Sequence, residues 1–372
     1  MTAGSGAVVV VGGYGAVGHA TADMLAEWFP GRVVVAGRDP ARAARAADAI
    51  GGGTTWRQVD VTSAADRARL SADAALVVMA VERANVAVAQ EAVRRGVHYV
   101  DITASPQLLR PLTDLDQLAV RTGSTVVLSV GVAPGLTNLL ADECLRELPG
   151  ADTVELALML GTGDPHGRDS VRWIVEQAAG ASAGTVGAGA GAGAGGDVGG
   201  GGDVGRPRRT RVELPGAGRR TVFPFPFSDQ HVLAARHGIR ATTRMCLDSR
   251  ALTWTLFAGR SSGLFRLARR LRLDDVLVSA LVRARVGADR FVVRASASRS
   301  SGPAVTRAVA GRGTSQVTGA VAAVVARQVL TGGTGAPAGT PARVPAGVVH
   351  IDQVTGLAEL AAELNRHGVT LE

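Results

Sequence analysis

The segment 8–25, VVVVGGYGAVGHATADML, constrains the fold more than any other part of the chain. It is typical of a buried β-strand, a glycine-rich turn and the start of a helix, and its glycines have the GxGxxG spacing. The first glycine of that motif allows a tight turn, the second lets the backbone approach a pyrophosphate, and the third lets the helix pack against the strand. The helix N-terminus adds free N–H groups. The predicted cofactor-binding residues of this turn are Gly13, Tyr14, Gly15, Ala16, Val17 and Gly18.

The first 132 residues alternate short apolar runs with helical stretches. The runs are rich in valine, and such continuity is typical of strands that are buried on both faces of a parallel sheet. Between them, alanine and leucine recur at helical spacing. The alternation predicts a Rossmann-type α/β domain with a doubly wound parallel sheet over residues 1–132. Its predicted strands are 7–12, 32–37, 56–61, 75–81, 98–103 and 125–131.

The rest of the chain predicts a second, α+β domain for substrate binding and dimerisation over residues 133–330. A helix is predicted over Pro134–Leu148, because proline suits the first turn of a helix and leucines recur on one face. Glycine makes up 13 of the 26 residues from Gly180 to Gly205, which predicts a disordered loop there. Residues 331–372 are predicted to return to the first domain. Strands are predicted at TVELALML, RVELP, RTVFPFPF, TTRMCLDS, LTWTLFAG and RFVVRASAS.

Every one of the 40 basic residues is arginine, so the chain contains no lysine. Burial can lower the pKa of a lysine amine, whereas a guanidinium stays protonated. The composition therefore excludes Schiff-base and pyridoxal chemistry, the Walker phosphate loop, the protein-kinase strand lysine, and reductases that depend on a Tyr-Lys pair.

Charge is divided unevenly along the chain. Residues 1–132 contain 12 arginines and 12 acidic residues, whereas residues 133–372 contain 28 arginines and 20 acidic residues. A basic domain suits nucleic acid, a membrane surface or a small anionic substrate. The segment LFRLARRLRL (264–273) is the candidate for the first two, but it lacks a series of aromatic residues for base stacking, and a solvated helix face explains it equally well. For a substrate anion the candidates are Arg168 and Arg172 near the first helix of the second domain, and Arg244 and Arg250 around LDS; a surface position is the alternative for each. We predict a small-molecule substrate, with no nucleic acid and no membrane partner.

The two cysteines, Cys144 and Cys246, are far apart and have no metal-ligand spacing, so we predict neither a disulfide framework nor a metal site. The N-terminal segment MTAGSGAVVVVGG lacks a basic region, and its apolar run is too short for a signal peptide or a membrane span. We therefore expect a cytoplasmic protein.

The end of the second predicted strand bears on the choice of cofactor. NAD sites usually place a carboxylate there, whereas NADP sites need a cation for the 2′-phosphate. This chain has Arg38 at that position, and Asp39 is interpreted as the cap of the helix that starts at Pro40. NADP is therefore favoured over NAD, although a solvated turn is the alternative for Arg38. Residues that follow other strands complete the predicted cofactor site: Asp60, Val61, Ala80, Val81 and Thr103.

Ligands of such sheets bind beyond the carboxyl ends of the strands, and this rule selects the candidate catalytic residues. Asp101 lies at the end of the fifth strand and is predicted to handle a proton or orient the substrate; its alternative role is to cap the next helix. Asn138 lies one turn into the helix predicted from Pro134 and is the second candidate. A polar position on a partly exposed helix face explains Asn138 equally well.

The motifs GGYGAVG, AGRDPARA, EAVRRGVHYVDIT and GVAPGLTNLLA, in this order and spacing, resemble the saccharopine dehydrogenase-like (saccharopine reductase) oxidoreductases. The resemblance extends through FPFSDQHVLAARHGI to the terminal helices. It implies a Rossmann domain, an inserted α+β domain, NAD(P) as cofactor, and a homodimer. It also implies hydride transfer to or from the carbon of a C–N bond.

One segment departs from the family pattern. Where reductases that act on saccharopine typically read LDPGIDH, this chain reads VAPGLTN over residues 132–138. Ala133 replaces an acid, and Thr137-Asn138 replaces Asp-His, so a substrate other than saccharopine is expected. We predict an NADP-dependent oxidoreductase that acts on a C=N or C=O carbon of a small, anionic substrate. The alternative is a non-catalytic NADP-binding redox sensor or regulatory protein.

Overall fold

A computed structural model of the 372-residue chain describes residues 6–164, 168–180, 208–283, 287–300, 302–332 and 344–366. Most of the loop predicted at 180–205 lies outside these residues. Strands are numbered along the chain: β1 Ala7–Val11, β2 Val33–Gly37, β3 Thr55–Gln58, β4 Ala74–Met79, β5 His98–Asp101, β6 Thr125–Leu128, β7 Thr153–Leu160, β8 Thr210–Leu214, β9 Gly218–Pro224, β10 Arg240–Leu247, β11 Arg290–Ser298, β12 Val305–Arg312 and β13 Gly347–His350.

Helices connect most of these strands, and none of those in the described residues is long and apolar enough to cross a membrane. They are α1 Ala16–Trp28, α2 Pro40–Ile50, α3 Ala64–Ser71, α4 Asn85–Arg94, α5 Pro106–Thr113, α6 Asp116–Thr122, α7 Thr137–Glu147, α8 Arg168–Ala179, α9 Ser228–His237, α10 Arg250–Ser262, α11 Leu264–Arg270, α12 Asp274–Arg283, α13 Thr314–Thr331 and α14 Leu357–Arg366.

The strands form two sheets. The first is parallel, with the order β13-β6-β5-β4-β1-β2-β3. The second is mixed, with the order β12-β11-β7-β10-β9-β8, in which β7 and β10 are parallel and the other pairs antiparallel. The Rossmann-type α/β sheet and the additional α+β domain predicted from the sequence are confirmed.

The chain divides into two compact units. The first contains Met1–Ala104, Leu108–Gly135 and Ser315–Thr370, and the second contains Ser105–Gln107, Leu136–Thr314 and Leu371–Glu372. The boundary near 315 precedes the predicted boundary at 330, because α13 packs against α1. A Cβ atom at Gly319 would lie 2.6 Å from the carbonyl oxygen of Val17, and the hydroxyl of Thr21 donates to the carbonyl oxygen of Gly319 over 3.1 Å.

The strand order of the first sheet reverses between β1 and β4. The central strands are apolar and buried, with Val8, Val9 and Val10 fully inaccessible to solvent. Chain segments that leave neighbouring strands in opposite directions open a crevice at the carboxyl edge of such a sheet. That edge is where the glycine-rich turn lies, because it directly follows β1.

Two predicted elements differ in the structure. The helix predicted from Pro134 begins at Thr137, because Ala133, Pro134 and Gly135 have non-helical backbone angles and Gly135 has a φ of +136°. The segment LTWTLFAG is helical within α10, where the hydroxyl of Ser249 accepts a hydrogen bond from the Leu252 amide and Gly263 ends the helix. Strands β12 and β13 are additions to the predicted set.

Candidate functional site

The glycine-rich turn after β1 brings the backbone of two elements into close contact. Gly12 has a φ of +79°, and a Cβ atom there would lie 2.5 Å from Cγ1 of Val81. A Cβ atom at Gly18 would lie 2.4 Å from the carbonyl oxygen of Gly12, so only glycine lets α1 approach the turn. Gly13 is nearly as restricted, because its Cβ atom would lie 3.0 Å from the carbonyl oxygen of Val10.

Gly15 differs from the other glycines because it is exposed and faces open space. Its Cβ atom would meet a single atom within 4 Å, the carbonyl oxygen of Gly12 at 3.2 Å. Gly15 is also the N-cap residue of α1, without a side-chain cap and with no acidic residue in the first turn. The N–H groups of Ala16 and Val17 therefore lie at the positive end of the helix dipole, and no acidic side chain in the first turn neutralises that end. This arrangement fits a pyrophosphate group.

The end of β2 packs against the turn through Tyr14. A Cβ atom at Gly37 would lie 2.2 Å from the Tyr14 ring, so glycine is required there, and the guanidinium of Arg42 stacks 4.5 Å from the ring centroid. Asp39 caps α2, since its carboxylate accepts a hydrogen bond from the Arg42 amide over 3.0 Å. The prediction that Asp39 is a helix cap is confirmed.

Arg38 is exposed at the end of β2 and forms no ion pair with any described residue. The nearby acid is Asp60, after β3. Hydrogen bonds from the Thr62 amide and hydroxyl lower the pKa of the Asp60 carboxyl, and the charges of Arg38 and Arg83 lower it further. Arg83, which follows β4 and is also exposed, was not selected from the sequence. Two cations therefore flank this corner of the site, which fits a phosphate group.

The other predicted cofactor residues lie at the same edge of the first sheet. Ala80 donates its amide hydrogen to the carbonyl oxygen of Val11 over 3.0 Å, which places the end of β4 beside the glycine-rich turn. Val61 follows β3 and is 4 % exposed, and Thr103 follows β5 and is 8 % exposed. The hydroxyl of Thr103 donates to Oε1 of Glu82. The structure thus brings the predicted residues of the first unit together.

Asp101 lies at the end of β5, fully buried, and its carboxylate is held inside the first unit. Oδ2 accepts hydrogen bonds from the Tyr99 hydroxyl over 2.6 Å and from Nδ2 of Asn85 over 3.0 Å, and Oδ1 accepts from the Thr103 amide over 2.8 Å. Burial raises the pKa of the carboxyl, and these three donors counteract part of that rise. Asp101 does not cap α5. Its catalytic role stays a prediction, whereas its contacts connect β5 to the start of α4.

Asn138 lies in the second unit, near the start of α7. Its side chain is 1 % exposed, so it does not lie on a partly exposed helix face, which was the alternative explanation from the sequence. Its side-chain oxygen accepts from the Thr137 hydroxyl over 3.4 Å. In the same unit Asp229 is fully buried, and its Oδ1 accepts from the Thr243 hydroxyl over 2.6 Å and from the Gln230 amide over 2.7 Å. Burial raises the pKa of Asp229 to about 6 despite these bonds and a bond from Thr137.

Sequence reasoning missed Asp229. The available signal was a run of three polar residues, Ser228 to Gln230, directly after an aromatic run. Polar residues at the start of a helix often remain exposed as caps, so this run did not indicate a buried carboxyl. Here all three are buried. A buried carboxyl with a raised pKa is a recurring feature of functional sites, so Asp229 joins the candidate residues of the second unit.

Two of the predicted substrate arginines lie in α8. The side chain of Arg168 lies outside the described residues. Arg172 donates from Nη2 to Oδ1 of Asp275 in α12 over 2.7 Å, an ion pair between two helices in which the Arg172 side chain is 37 % exposed. The substrate role of both residues stays a prediction. Among the described residues, no three His, Cys, Asp or Glu side chains cluster so as to hold a metal ion.

Comparison with known proteins agrees with this geometry. Residues 8–127 match the family model described as the saccharopine dehydrogenase NADP-binding domain. The structure of the apo histidine-tagged saccharopine dehydrogenase (L-Glu forming) from Saccharomyces cerevisiae superimposes with a TM-score of 0.62, 16% identity, and 99% coverage of both chains. Residues 8–127 therefore belong to the saccharopine dehydrogenase NADP-binding domain family, and the whole chain shares the fold of that saccharopine dehydrogenase. Its first unit is a nicotinamide-cofactor domain of this family, and the resemblance inferred from the sequence motifs is confirmed.

A weaker structural similarity is found with a second dehydrogenase. The WlbA (WbpB) dehydrogenase from Thermus thermophilus, solved in complex with NAD and alpha-ketoglutarate, has a TM-score of 0.43 and 15% identity, with 97% of this chain and 95% of that chain covered. No curated protein sequence matches the chain.

Proposed function

We propose that the chain is an NADP-dependent oxidoreductase that transfers a hydride to or from the C=N or C=O carbon of a small, anionic substrate other than saccharopine. The observation that carries the NADP assignment is the exposed Arg38 guanidinium, which has no ion pair with a described residue and lies where the 2′-phosphate is read in Rossmann domains. When bound, the nicotinamide supplies the hydride chemistry.

The residues of the first unit fit that cofactor. The uncapped N-terminus of α1 and the open space at Gly15 suit a pyrophosphate, and Arg38 suits a phosphate dianion. Tyr14 is fixed between Gly37 and Arg42, which holds the turn after β2 in position. Val81, packed against Gly12, presents an apolar surface at the end of β4 that excludes water from the crevice.

The exclusion of saccharopine rests on the segment that leads into α7. Ala133 has no polar group, and Thr137 and Asn138 carry no charge, where the family pattern has two acids and a histidine. Thr137 and Asn138 are both buried, so their hydrogen-bonding capacity is directed within the protein rather than to solvent. A site that has lost ionisable groups discriminates against a substrate that requires them.

A matched pair of arginine variants tests the cofactor assignment. Arg38→Ala should weaken NADPH binding by about tenfold to hundredfold, because a charge-assisted contact to phosphate contributes roughly 1.5 to 3 kcal/mol, and should leave NADH binding nearly unchanged. Arg121→Ala, an exposed arginine of α6, is the control and should change neither. The measurement is a titration followed by nicotinamide fluorescence. Equal losses for the two cofactors with Arg38→Ala would refute the phosphate contact.

The second candidate function, a non-catalytic NADP-binding redox sensor, is favoured by the engaged Asp101 carboxylate, which has three donors inside the protein. Oxidation of NADPH in the presence of 2-oxo acids, with and without amines, separates the two functions. The oxidoreductase proposal expects turnover with at least one combination, and it expects no turnover of saccharopine with NADP⁺. NADPH binding without turnover across the panel would favour the sensor. The homodimer and the cytoplasmic location stay predictions.

A further inference from the structure

A cavity of about 390 Å³ in the second unit is lined by four arginines: Arg211, Arg219, Arg220 and Arg250. We call it the arginine cavity. Trp254 and Cys246 also line it, and among the described residues no acidic residue does. It belongs to the second unit, whereas the glycine-rich turn belongs to the first, so it is distinct from the proposed cofactor site; Arg250 is also a predicted candidate for a substrate anion.

Two elements of the second unit supply these guanidinium groups. The antiparallel hairpin of β8 and β9 carries Arg211, Arg219 and Arg220, with Arg211 paired in register with Thr221. Arg250 is the first residue of α10, directly after the Ser249 cap. Nη2 of Arg250 donates to the carbonyl oxygen of Arg219 over 3.3 Å, which joins the helix to the hairpin at the cavity. Because side chains alternate along a strand, Arg211 and Arg219 project from one face of the hairpin and Arg220 from the other. The cavity therefore brings together the side chains of Arg211, Arg219 and Arg250, although they come from distant parts of this segment.

Two acidic residues lie near the cavity within the described residues: Glu213, opposite Arg219 in the hairpin, and Asp248, whose charge acts on Cys246. None of the four arginines forms an ion pair there, whereas other arginines of the same unit do, as Arg244 does with Glu155 and Arg307 with Glu147. Glu213 is paired in register with Arg219 but lies outside the lining and forms no ion pair with it. The thiol of Cys246 adds no negative charge, because burial raises its pKa to about 12.

Like charges in one concave surface repel each other, and a bound anion reduces that repulsion. A single carboxylate carries one charge and satisfies one guanidinium fork, whereas a phosphoryl group carries nearly two charges and three acceptor oxygens. We propose that the arginine cavity binds a small polyanion that carries phosphoryl groups. The Trp254 ring is held at the wall by Phe223, whose ring centroid is 5.3 Å away, and by the guanidinium of Arg209 at 5.1 Å.

Inorganic pyrophosphate is the probe, measured by calorimetry and by the fluorescence of Trp254. We expect saturable binding to the full chain that weakens as ionic strength rises, because screening reduces the attraction between exposed charges. Arg219→Gln and Arg250→Gln should each reduce the affinity about tenfold or more. Arg312→Gln, which removes the same charge from β12 outside the cavity, should leave it unchanged. Trp254→Phe should abolish the fluorescence response and keep the calorimetric binding.

The nucleotide site of the first unit also attracts phosphates, so Arg38→Gln is the second control. It should leave a pyrophosphate site that Arg219→Gln then weakens. Pyrophosphate binding that disappears with Arg38→Gln and persists with Arg219→Gln would overturn the proposal. Salt-independent binding, or equal affinity for succinate and pyrophosphate, would also overturn it. Unchanged NADPH binding and thermal midpoint of Arg219→Gln and Arg250→Gln show that each variant is folded.

Discussion

The hydroxyl of Tyr99 donates to Oδ2 of Asp101 over 2.6 Å, and both side chains are completely buried at the end of β5. Burial raises the pKa values of both groups, that of Tyr99 well above its usual value. The proton between them is therefore retained within the protein. Together with Asn85, the pair fixes the end of β5 against the start of α4, at the edge of the sheet where the predicted cofactor residues lie.

Asp101→Asn tests whether this carboxylate positions the edge of the site or transfers a proton. The amide introduces a donor opposite Nδ2 of Asn85 or the Thr103 amide, so we expect a loss of roughly 1 to 3 kcal/mol in the free energy of unfolding, measured with urea. Tyr99→Phe removes one donor and should lose about 1 kcal/mol. A positioning role predicts that kcat falls modestly and in parallel for both variants.

A proton-transfer role gives a different pattern for the same variants. Asp101→Asn would then lower kcat about a hundredfold to ten-thousandfold, whereas Tyr99→Phe would retain most of the activity. Unchanged stability of Asp101→Asn would contradict the positioning role, because the buried donors would then not depend on the carboxylate.

The six strands predicted in the first domain are present. The central ones are valine-rich runs that suit a buried strand, as in β1 and β2, whereas the edge strand β3, TWRQ, is largely exposed. β13 was missed for a physical reason. It has four residues directly after a segment rich in glycine and proline, and it is stabilised by pairing with β6, more than 200 residues earlier in the chain. Local periodicity carries no information about such a partner.

The candidate site was predictable from the sequence only where its residues act locally. Gly13, Gly15 and Gly18 act through the local backbone, so their spacing sufficed, and the Asp39 cap is likewise local. The burial of Asp229 and the meeting of the β8–β9 hairpin with Arg250 at the arginine cavity depend on how distant elements pack. Neither has a signature in the local sequence. LTWTLFAG was interpreted as a strand from its β-branched and aromatic residues, but the caps at Ser249 and Gly263 make it helical.

The contact between α13 and α1 predicts that Gly319→Ala is destabilising. The new Cβ atom would lie 2.6 Å from the Val17 carbonyl oxygen and 3.0 Å from the Thr21 amide, so the helices must move apart. We expect a loss of roughly 1 to 3 kcal/mol, measured as a lower thermal midpoint. Gly180→Ala is the matched control, because its nearest atoms would be 3.6 Å away. Equal midpoints for the two variants would contradict this packing.

Asp229 predicts a specific dependence of stability on pH. Its pKa is about 6 in the folded protein against 3.8 as the reference value, so the unfolded chain loses the proton first. Stability therefore falls as the pH rises from about 4 to 6, and the full penalty, roughly 3 kcal/mol, is present above pH 6. Asp229→Asn removes this contribution.

Urea unfolding at pH 5 and pH 7.5 measures the effect of Asp229. About half of the penalty develops between these values, so the wild-type chain should lose roughly 1.4 kcal/mol more than Asp229→Asn over this interval. The exposed Asp114→Asn is the control and should behave as the wild type. Identical pH dependence of the wild type and Asp229→Asn would show that the carboxyl is not buried in the folded chain.

Gly15 and Gly18 predict opposite outcomes for the same substitution. Gly15→Val adds a side chain over the N-terminus of α1, where a single backbone atom lies 3.2 Å from the new Cβ and the φ of −83° suits valine. The chain should fold with an unchanged thermal midpoint, and NADPH binding should be lost because the side chain occupies the space for the pyrophosphate. Gly18→Val places its Cβ atom 2.4 Å from the Gly12 carbonyl oxygen and should prevent α1 from packing on β1, which lowers the midpoint or the yield of folded protein. Circular dichroism melting and a fluorescence titration on both variants distinguish a glycine needed for binding from one needed for packing. NADPH affinity of Gly15→Val equal to that of the wild type would show that the pyrophosphate does not bind at this turn.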